Sequence, residues 1–290
     1  MRPQFGCVVL TAGRRPDDLR AGVESLQHQQ GVETDIVVVG NGCEPQAVDG
    51  VPDGVRVVAL PADEGIPAGR NAGVDHVHGE LLFFLDDDAR IADADALARA
   101  AAQLAADPQL ALVQLAPMAI DGGPRSRDWV PRLRVGDPAR ASEITVVWEG
   151  AVAIRRDVFE RVGRWPADFR FVHEGVDLGW RIMDAGYRMR YAGDIPVLHP
   201  SPSGNAHPYS YYFGARNRVW LARRHLPLPL GFLYVIAFAL RTVPRCKSWR
   251  SVQESARGYR DGLRGPSGRR RPLKPGTLVR MTRAGRPPIM

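Results

Sequence analysis

The sequence is poor in cysteine: Cys7, Cys43 and Cys246 are far apart, odd in number and free of CxxC or Cys/His spacing. That argues against a disulfide framework or a cysteine-built zinc site, and it points to a reducing compartment. Long hydrophobic runs are also missing. The most apolar stretch, Leu226 to Leu240, has fifteen residues and is interrupted by Pro227, Pro229 and Gly231, which is short of the roughly 20 that a spanning helix needs. Met1-Arg2-Pro3-Gln4-Phe5 runs directly into a strand-like segment with no charged and apolar leader, so no signal peptide is expected. There is no GxxxxGKS/T and no GxGxxG after a strand, which leaves P-loop and dinucleotide readings without their motifs. No internal repeat is visible.

What the chain has is 290 residues, 44% hydrophobic and 24% charged, enough for one large α/β domain with an appendage. Buried strands are expected at Phe5–Thr11, Thr34–Val39, Val55–Leu60, Leu81–Leu85, Leu110–Leu115 and Thr145–Ile154, with short ones at Arg188–Tyr191 and Ile195–Leu198. Helical spacing falls between them: Leu19, Val23 and Leu26; Pro67 to Val77; Asp95 to Ala106; Asp157 to Val162, stopped by Gly163; and Val176, Trp180 and Met183, stopped by Gly186. Strands alternating with helices imply a mostly parallel sheet with covered faces. Residues 117–145 show no period and read as a long loop on the ligand side.

The net charge of +7 hides an asymmetry. From Arg216 onward 18 Lys and Arg face only Glu254 and Asp261, which gives +16 there and −9 over residues 1–215. Such a basic segment can attract phosphates of lipid headgroups or nucleic acid, or it can be a solubilising, partly disordered tail. The Leu226–Leu240 run beside Arg223, Arg224 and Arg241 suits a membrane surface, since an apolar face plus basic residues provides two attachment signals. Packing on the domain is the alternative.

The densest signal is Leu81-Leu82-Phe83-Phe84-Leu85-Asp86-Asp87-Asp88. A strand buried on both faces delivers three acids to its C-terminal end, where open α/β sheets bind ligands. Adjacent like charges call for a positive partner, and a divalent cation carrying a phosphorylated ligand supplies one. The acids could instead merely cap the strand and the next helix.

Further clusters stand at strand ends in a fixed order: the first strand into Thr11, Val37-Val38-Val39-Gly40-Asn41, Gly65-Ile66-Pro67-Ala68-Gly69-Arg70-Asn71-Ala72-Gly73, Leu85-Asp86-Asp87-Asp88, and Glu174-Gly175-Val176-Asp177-Leu178 followed by Arg181. Over residues 4–225 the chain resembles the family 2 glycosyltransferases, inverting enzymes of the GT-A fold that use nucleotide-activated sugars. The resemblance implies a Rossmann-like α/β domain over residues 1–225, with a mostly parallel mixed sheet flanked by helices. A helical, apolar and basic membrane-associating segment at 226–264 and a basic Pro/Gly/Arg-rich tail at 265–290 would follow.

Asp86 and Asp88 then belong to a DxD element holding Mn2+ or Mg2+, with His199 completing the metal site. Thr11, Asn41, Gly65, Arg70, Asn71, Asp86 and Asp87 would bind the nucleotide sugar, and Trp148, Glu149 and Gly150 the acceptor; a buried core role for Trp148 stays open. Family members usually carry Glu-Asp where this chain has Glu174-Gly175, and the second acid is commonly assigned as base. With Gly175 in its place, Glu174 is the candidate base and Asp177 the other acid of the pair, the latter also able to pair with Arg181. Gly40-Asn41 in place of Asp-Asn, and Thr11-Ala12-Gly13 in place of Thr-Tyr-Asn, leave the nucleotide base open.

The expected function is metal-dependent, inverting transfer of a sugar from a nucleotide diphosphate to a hydroxyl of a cell-envelope or lipid-linked glycan. It would take place in the cytoplasm, at the inner face of an anionic cell membrane. A sugar-phosphate nucleotidyltransferase, for which Thr11-Ala12-Gly13-Arg14-Arg15 is a partial match, and a noncatalytic nucleic-acid-binding protein are the alternatives. Nucleic acid is not the expected partner, because the tail lacks a reading module and the acidic part would oppose the phosphate backbone.

Overall fold

Alternate residues of the apolar runs bury opposite faces of one sheet. Val8, Val37, Val39, Leu82 and Phe84 enter one core cluster, while Cys7, Val9, Val38, Phe83 and Leu85 enter another. Burial on both faces is why these segments read as unbroken hydrophobic runs. In this computed structural model, residues 2–44, 48–201 and 208–288 are described. The strands are β1 (Gln4–Thr11), β2 (Glu33–Asn41), β3 (Arg56–Leu60), β4 (Leu81–Asp86), β5 (Arg90–Ile91), β6 (Leu110–Ala119), β7 (Ser142–Glu143), β8 (Ala151–Arg155) and β9 (Arg188–His199). Their order is β3-β2-β1-β4-β8-β6-β9-β5, with β7 also on β9. The β3-β2-β1-β4 half is parallel, β8 runs antiparallel between β4 and β6, and β9 is again parallel to β6.

Helices α1 (Pro16–Gln27) and α3 (Ala96–Ala106) cover one face through Leu19, Val23, Leu26, Leu97, Ala100 and Leu104. The other face is covered by α2 (Ile66–Val74), α4 (Arg156–Val162) and α5 (Glu174–Asp184), where Phe84 packs edge-on to Trp165 at 5.2 Å between centroids. As expected, Pro67 lies in the first turn of α2, and Gly163 ends α4 in the left-handed conformation.

The structure revises several sequence expectations. The strand expected at Thr145–Ile154 is ordered as strand only at Ala151–Arg155, because Trp148 N–H bonds the Gln114 side chain (2.8 Å) instead of a neighbouring strand. The two short strands expected after Arg188 are one strand, with the irregularity absorbed as a register shift against Leu115 and Ala116 of β6. A further helix, α6 (Pro208–His225), has no sequence signal because its buried residues mix Ala215, Val219, Trp220, Leu221 and Ala222 with Arg216, Asn217, Arg224 and His225, which blurs any apolar stripe.

Beyond it lie α7 (Leu228–Thr242), α8 (Trp249–Arg264) and α9 (Pro275–Arg283). The described part of the segment read as a basic tail is folded against the domain; residues 289 and 290 lie outside the described residues. Leu273 and Met281 are buried in the same cluster as Trp180 and Phe84. Lys274 N–H and Thr277 Oγ1 both donate to Asp184 Oδ1 at 2.8 Å, fixing α9 to the end of α5. Much of the positive charge is also used internally. Arg216 donates to the carbonyls of Asp168 and Phe169, Arg223 to those of Gly262 and Gly265, Arg270 to those of Arg223 and Leu226, and Arg280 to that of Met183.

Candidate active site

Strand β4 ends at Asp86, and the three acids divide at once. Asp86 Oδ1 accepts a bond from the buried Arg70 (2.6 Å). Asp87 turns inward, taking bonds from Thr11 Oγ1 (2.7 Å) and Arg15 Nη2 (2.8 Å); burial raises its pKa against the pull of both partners. Asp88 bonds Arg15 through one oxygen and faces His199 Nε2 at 3.2 Å with the other. Burial alone would raise Asp88, but His199 and then Arg15 win and hold it below its ordinary value.

His199, at the last residue of β9, faces Asp86 Oδ2 (3.8 Å) as well as Asp88. Among the described residues, Asp86, Asp88 and His199 form a group whose ligand atoms lie within 4.8 Å of one another. The chemistry of the donor set supports a cation. His199 Nδ1 lies 2.8 Å from the Pro200 carbonyl, which can only accept, so Nδ1 carries the hydrogen. In the neutral ring Nε2 then presents a lone pair to two carboxylates. Three acceptors converging in this way need a cation or a proton among them. Burial lowers the pKa of His199, but the bond to Asp88 and the charges of Asp88 and Asp86 raise it overall. The two carboxylate oxygens suit a hard divalent ion such as Mn2+ or Mg2+. Trp148 and Trp129 set the ring edge-on, with centroids at 5.3 and 5.5 Å.

Behind this group lies a second pair of acids. Glu174, at the start of α5, is 4% exposed, its Oε1 is 4.0 Å from Arg70 Nη1, and its Oε2 is buried without a hydrogen bond. Glu149 comes from the segment before β8, and its Oε1 accepts the Gly175 N–H at 2.6 Å. Burial raises both carboxyls, and repulsion from Glu174 adds to it at Glu149, with Arg70 opposing at both.

Asp177 has a different setting. Its oxygens are bonded by Arg181 Nε (2.6 Å) and His225 Nε2 (2.7 Å), with Arg224 at 3.7 Å. Burial would raise this carboxyl, but Arg181, His225 and Arg224 hold it well below the usual carboxylate range. This corrects the candidacy of Asp177 for proton transfer: it is 2% exposed and joins α5 to α6, in keeping with the Arg181 pairing.

The loop entering α5 is strained. Arg170, Val172 and His173 have φ of 61°, 56° and 69°, costing on the order of 1–3 kcal/mol each. Asn217, unrecognised in the sequence, holds it by donating to the carbonyls of Phe169, Phe171 and Val172 (3.1, 2.8 and 2.9 Å).

Other expected donor-binding residues act on neighbouring loops. Asn41 bonds Asp63 Oδ1 and the Glu64 N–H, and Gly65 N–H bonds the same Asp63 oxygen, so this corner is prearranged. Asn71 holds a neighbouring loop: its amide donates to the Trp165 carbonyl and accepts from the Trp165 N–H (2.9 and 3.1 Å). Gly150 accepts the Asp86 N–H (3.0 Å), and a Cβ there would meet Asp86 Oδ2 at 2.5 Å and overlap the Trp148 ring, so the close approach requires glycine. The sequence offered Arg15 only as part of the basic Thr11–Arg15 loop, and Trp129, in an aperiodic loop, carries no signal in isolation.

The glycosyl transferase family 2 profile matches residues 7–163. Succinoglycan biosynthesis protein ExoO of Rhizobium meliloti (strain 1021) is 32% identical over 119 residues, which is 39% of this chain and 34% of that protein; the match thus spans about a third of this relative's length. Among solved structures, the mannosyltransferase PcManGT from Pyrobaculum calidifontis, in complex with GDP-Man and Mn2+, aligns with a TM-score of 0.60 at 20% identity, over 92% of this chain and 82% of that one. S. aureus TarS 1-349 in complex with UDP-GlcNAc aligns at 0.58 and 15% identity, over 97% and 88%. At these identities the likeness is one of fold.

Proposed function

Because the chain belongs to glycosyl transferase family 2 and is thus a glycosyltransferase, we propose that it moves a sugar from a nucleotide diphosphate to an acceptor hydroxyl in a metal-dependent, inverting displacement. The convergence of Asp86, Asp88 and His199, with His199 Nε2 left as acceptor, carries this reading. These three residues would hold the cation. Bound there, a divalent ion supplies Lewis-acid stabilisation to the departing diphosphate. Arg70 keeps Asp86 oriented, and Thr11 with Arg15 does the same for Asp87. The corner at Asn41, Asp63 and Gly65 would receive the nucleotide, and Trp148 and Gly150 would lie on the acceptor side. One carboxylate of the Glu149–Glu174 pair would take the acceptor proton. The relatives support a nucleotide sugar as donor, since PcManGT is seen with GDP-Man and TarS with UDP-GlcNAc.

The test is thermal melting against a panel of nucleotide sugars with and without Mn2+. A ligand bound only by the native state stabilises by about 2.7 kcal/mol at 100 times its Kd, and the expected result is a rise of several degrees that needs Mn2+. If no nucleotide sugar raises the melting point under either condition, the donor site is misread.

A cell-envelope or lipid-linked acceptor is proposed from the C-terminal helices. None among the described residues is long and apolar enough to cross a membrane. Yet Leu228, Phe232, Leu233, Ile236 and Leu240 lie along one face of α7, and all are exposed, Leu228 by 76%. Arg241 and Arg245 follow, and Trp249 is exposed at the start of α8. An apolar face bordered by cations fits the surface of an anionic bilayer. The protein is expected to sediment with phosphatidylserine vesicles and not with phosphatidylcholine alone. Phe232→Ser with Leu240→Ser should weaken that binding more than tenfold, given about 1.5–3 kcal/mol per buried side chain. Undiminished sedimentation of the double variant would remove α7 from the contact. DNA binding at the same salt would favour the nucleic-acid alternative; the internal carbonyl bonds of Arg216, Arg223, Arg270 and Arg280 argue against it.

A further inference from the structure

Six acids surround the end of β4 and the start of α5, and most already have an occupation. Asp86 and Asp88 face His199. Asp87 is tied to Thr11 and Arg15, and Asp177 to Arg181 and His225. Glu174 lies inside the protein behind Arg70, 4% exposed. Glu149 alone among them combines partial exposure with a place between two acceptor-side residues, Trp148 and Gly150. Gly150 is itself bonded to Asp86, which puts Glu149 one residue from a direct link to the proposed metal group.

A second observation concerns Gly175. A Cβ at that position would stand 2.8 Å from Glu149 Cδ and would overlap Glu149 Oε1 and the Val147 carbonyl. The space in which a side chain at 175 would begin is therefore taken by the Glu149 carboxylate, fixed there by the Gly175 N–H at 2.6 Å in the first turn of α5. Absence of a side chain at 175 and presence of an acid at 149 are two halves of one arrangement.

We infer that Glu149, not Glu174, is the general base of the transfer, with Gly175 kept free of a side chain to seat it. The inference rests on the glycosyltransferase reading above. In the step, a Glu149 carboxylate oxygen takes the proton of the acceptor hydroxyl, and the oxygen pair so freed forms the bond to the anomeric carbon. The bond from that carbon to the diphosphate oxygen breaks with its electron pair going to the nucleoside diphosphate. The neutral Glu149 then loses its proton to solvent. Glu174 acts as a positioning residue behind Glu149, raising its carboxyl, while Arg70, 4.0 Å from Glu174, opposes that rise. Burial, then repulsion from Glu174, raise the Glu149 carboxyl above its ordinary value, which makes its carboxylate a stronger base.

The experiment uses the full chain, Mn2+ and whichever nucleotide sugar gives the largest melting shift, with water as acceptor and release of nucleoside diphosphate as readout. Glu149→Gln keeps an oxygen for the Gly175 N–H. It is expected to retain the donor-induced melting shift while hydrolysis falls about 100- to 10,000-fold, the span of general-base effects. Glu149→Ala with Gly175→Asp returns an acid to the same volume from the helix side and should recover part of the rate, whereas Gly175→Asp alone should lose activity through collision with Glu149. Wild-type hydrolysis by Glu149→Gln, or a loss confined to Glu174→Gln, would overturn the assignment. If the wild-type protein neither binds nor hydrolyses any nucleotide sugar, the glycosyltransferase reading itself fails, and this assignment with it.

Discussion

Replacing Asp88 with alanine is expected to abolish the Mn2+-dependent melting shift given by a nucleotide sugar and to slow transfer about 1,000-fold. The rate estimate reflects the several kcal/mol that Lewis-acid stabilisation of a leaving group contributes. Asp88 sits at the centre of the charge pattern: one oxygen meets His199 Nε2 at 3.2 Å and the other is bonded by Arg15. Its loss would leave Asp86 and His199 as two donors, 3.8 Å apart, with too few fixed ligands to retain a divalent ion well. The apo protein should melt close to wild type, because the partner Arg15 is half exposed and can rehydrate. Mn2+ titration followed by melting separates the effects. An unchanged Mn2+ response in Asp88→Ala would place the cation elsewhere, and an unchanged Mn2+ response with lost turnover would assign Asp88 to the donor instead of the metal.

Asp177→Ala should act on stability and not on chemistry. Removing one member of a buried ion pair costs about 3–5 kcal/mol, because the remaining charges stay buried without compensation. Here Arg181, 2.6 Å away, and Arg224, 3.7 Å away, would both lose that partner, as would His225 at 2.7 Å. For a chain of this size the loss corresponds to a melting point lower by roughly 10 °C. The pH dependence follows from the direction of the shift. The folded carboxyl titrates below its unfolded value of about 3.9, so its stabilisation is fully present above that value and is lost as pH falls through the folded pKa. Wild type and Asp177→Ala should therefore converge in stability under strong acid and differ most near neutrality. Well below its melting point the variant should still bind donor; a variant that melts normally yet transfers nothing would return Asp177 to the catalytic group.

These predictions separate an acid just past the end of β4 from an acid inside α5, the first acting on the cation and the second on stability. The apolar run before Asp86 was legible because burial on both faces leaves no polar alternation. The placement of Thr11, Asn41, Gly65 and Asp86 at one sheet edge followed from the parallel topology, which sends the C-terminal ends of successive strands the same way. Arg70 was legible as a charged residue in a glycine-rich helix start, though not as the guanidinium linking Asp86 with Glu174. Asn71, in the same motif, braces Trp165, 94 positions later, a partner that no local pattern encodes.

The C-terminal part shows the same division. Its excess of arginine was countable, but the count did not reveal that several guanidinium groups meet carbonyl oxygens inside the fold. Helix α6 was invisible for a related reason, since a helix that buries Arg216, Asn217 and His225 beside Val219, Trp220 and Leu221 blurs the apolar period by which helices are recognised.

By itself the sequence determined the sheet-building strands, their alternation with helices and the delivery of three acids to a strand end, because hydrophobic period and chain connectivity are local properties. Only the tertiary structure decided which acids converge with His199, which are locked in ion pairs and which of Glu149 and Glu174 is partly exposed. Those roles depend on burial and on the charges within a few ångströms. Both are set by contacts between distant segments, most plainly by an acid at position 149 occupying the space left at position 175.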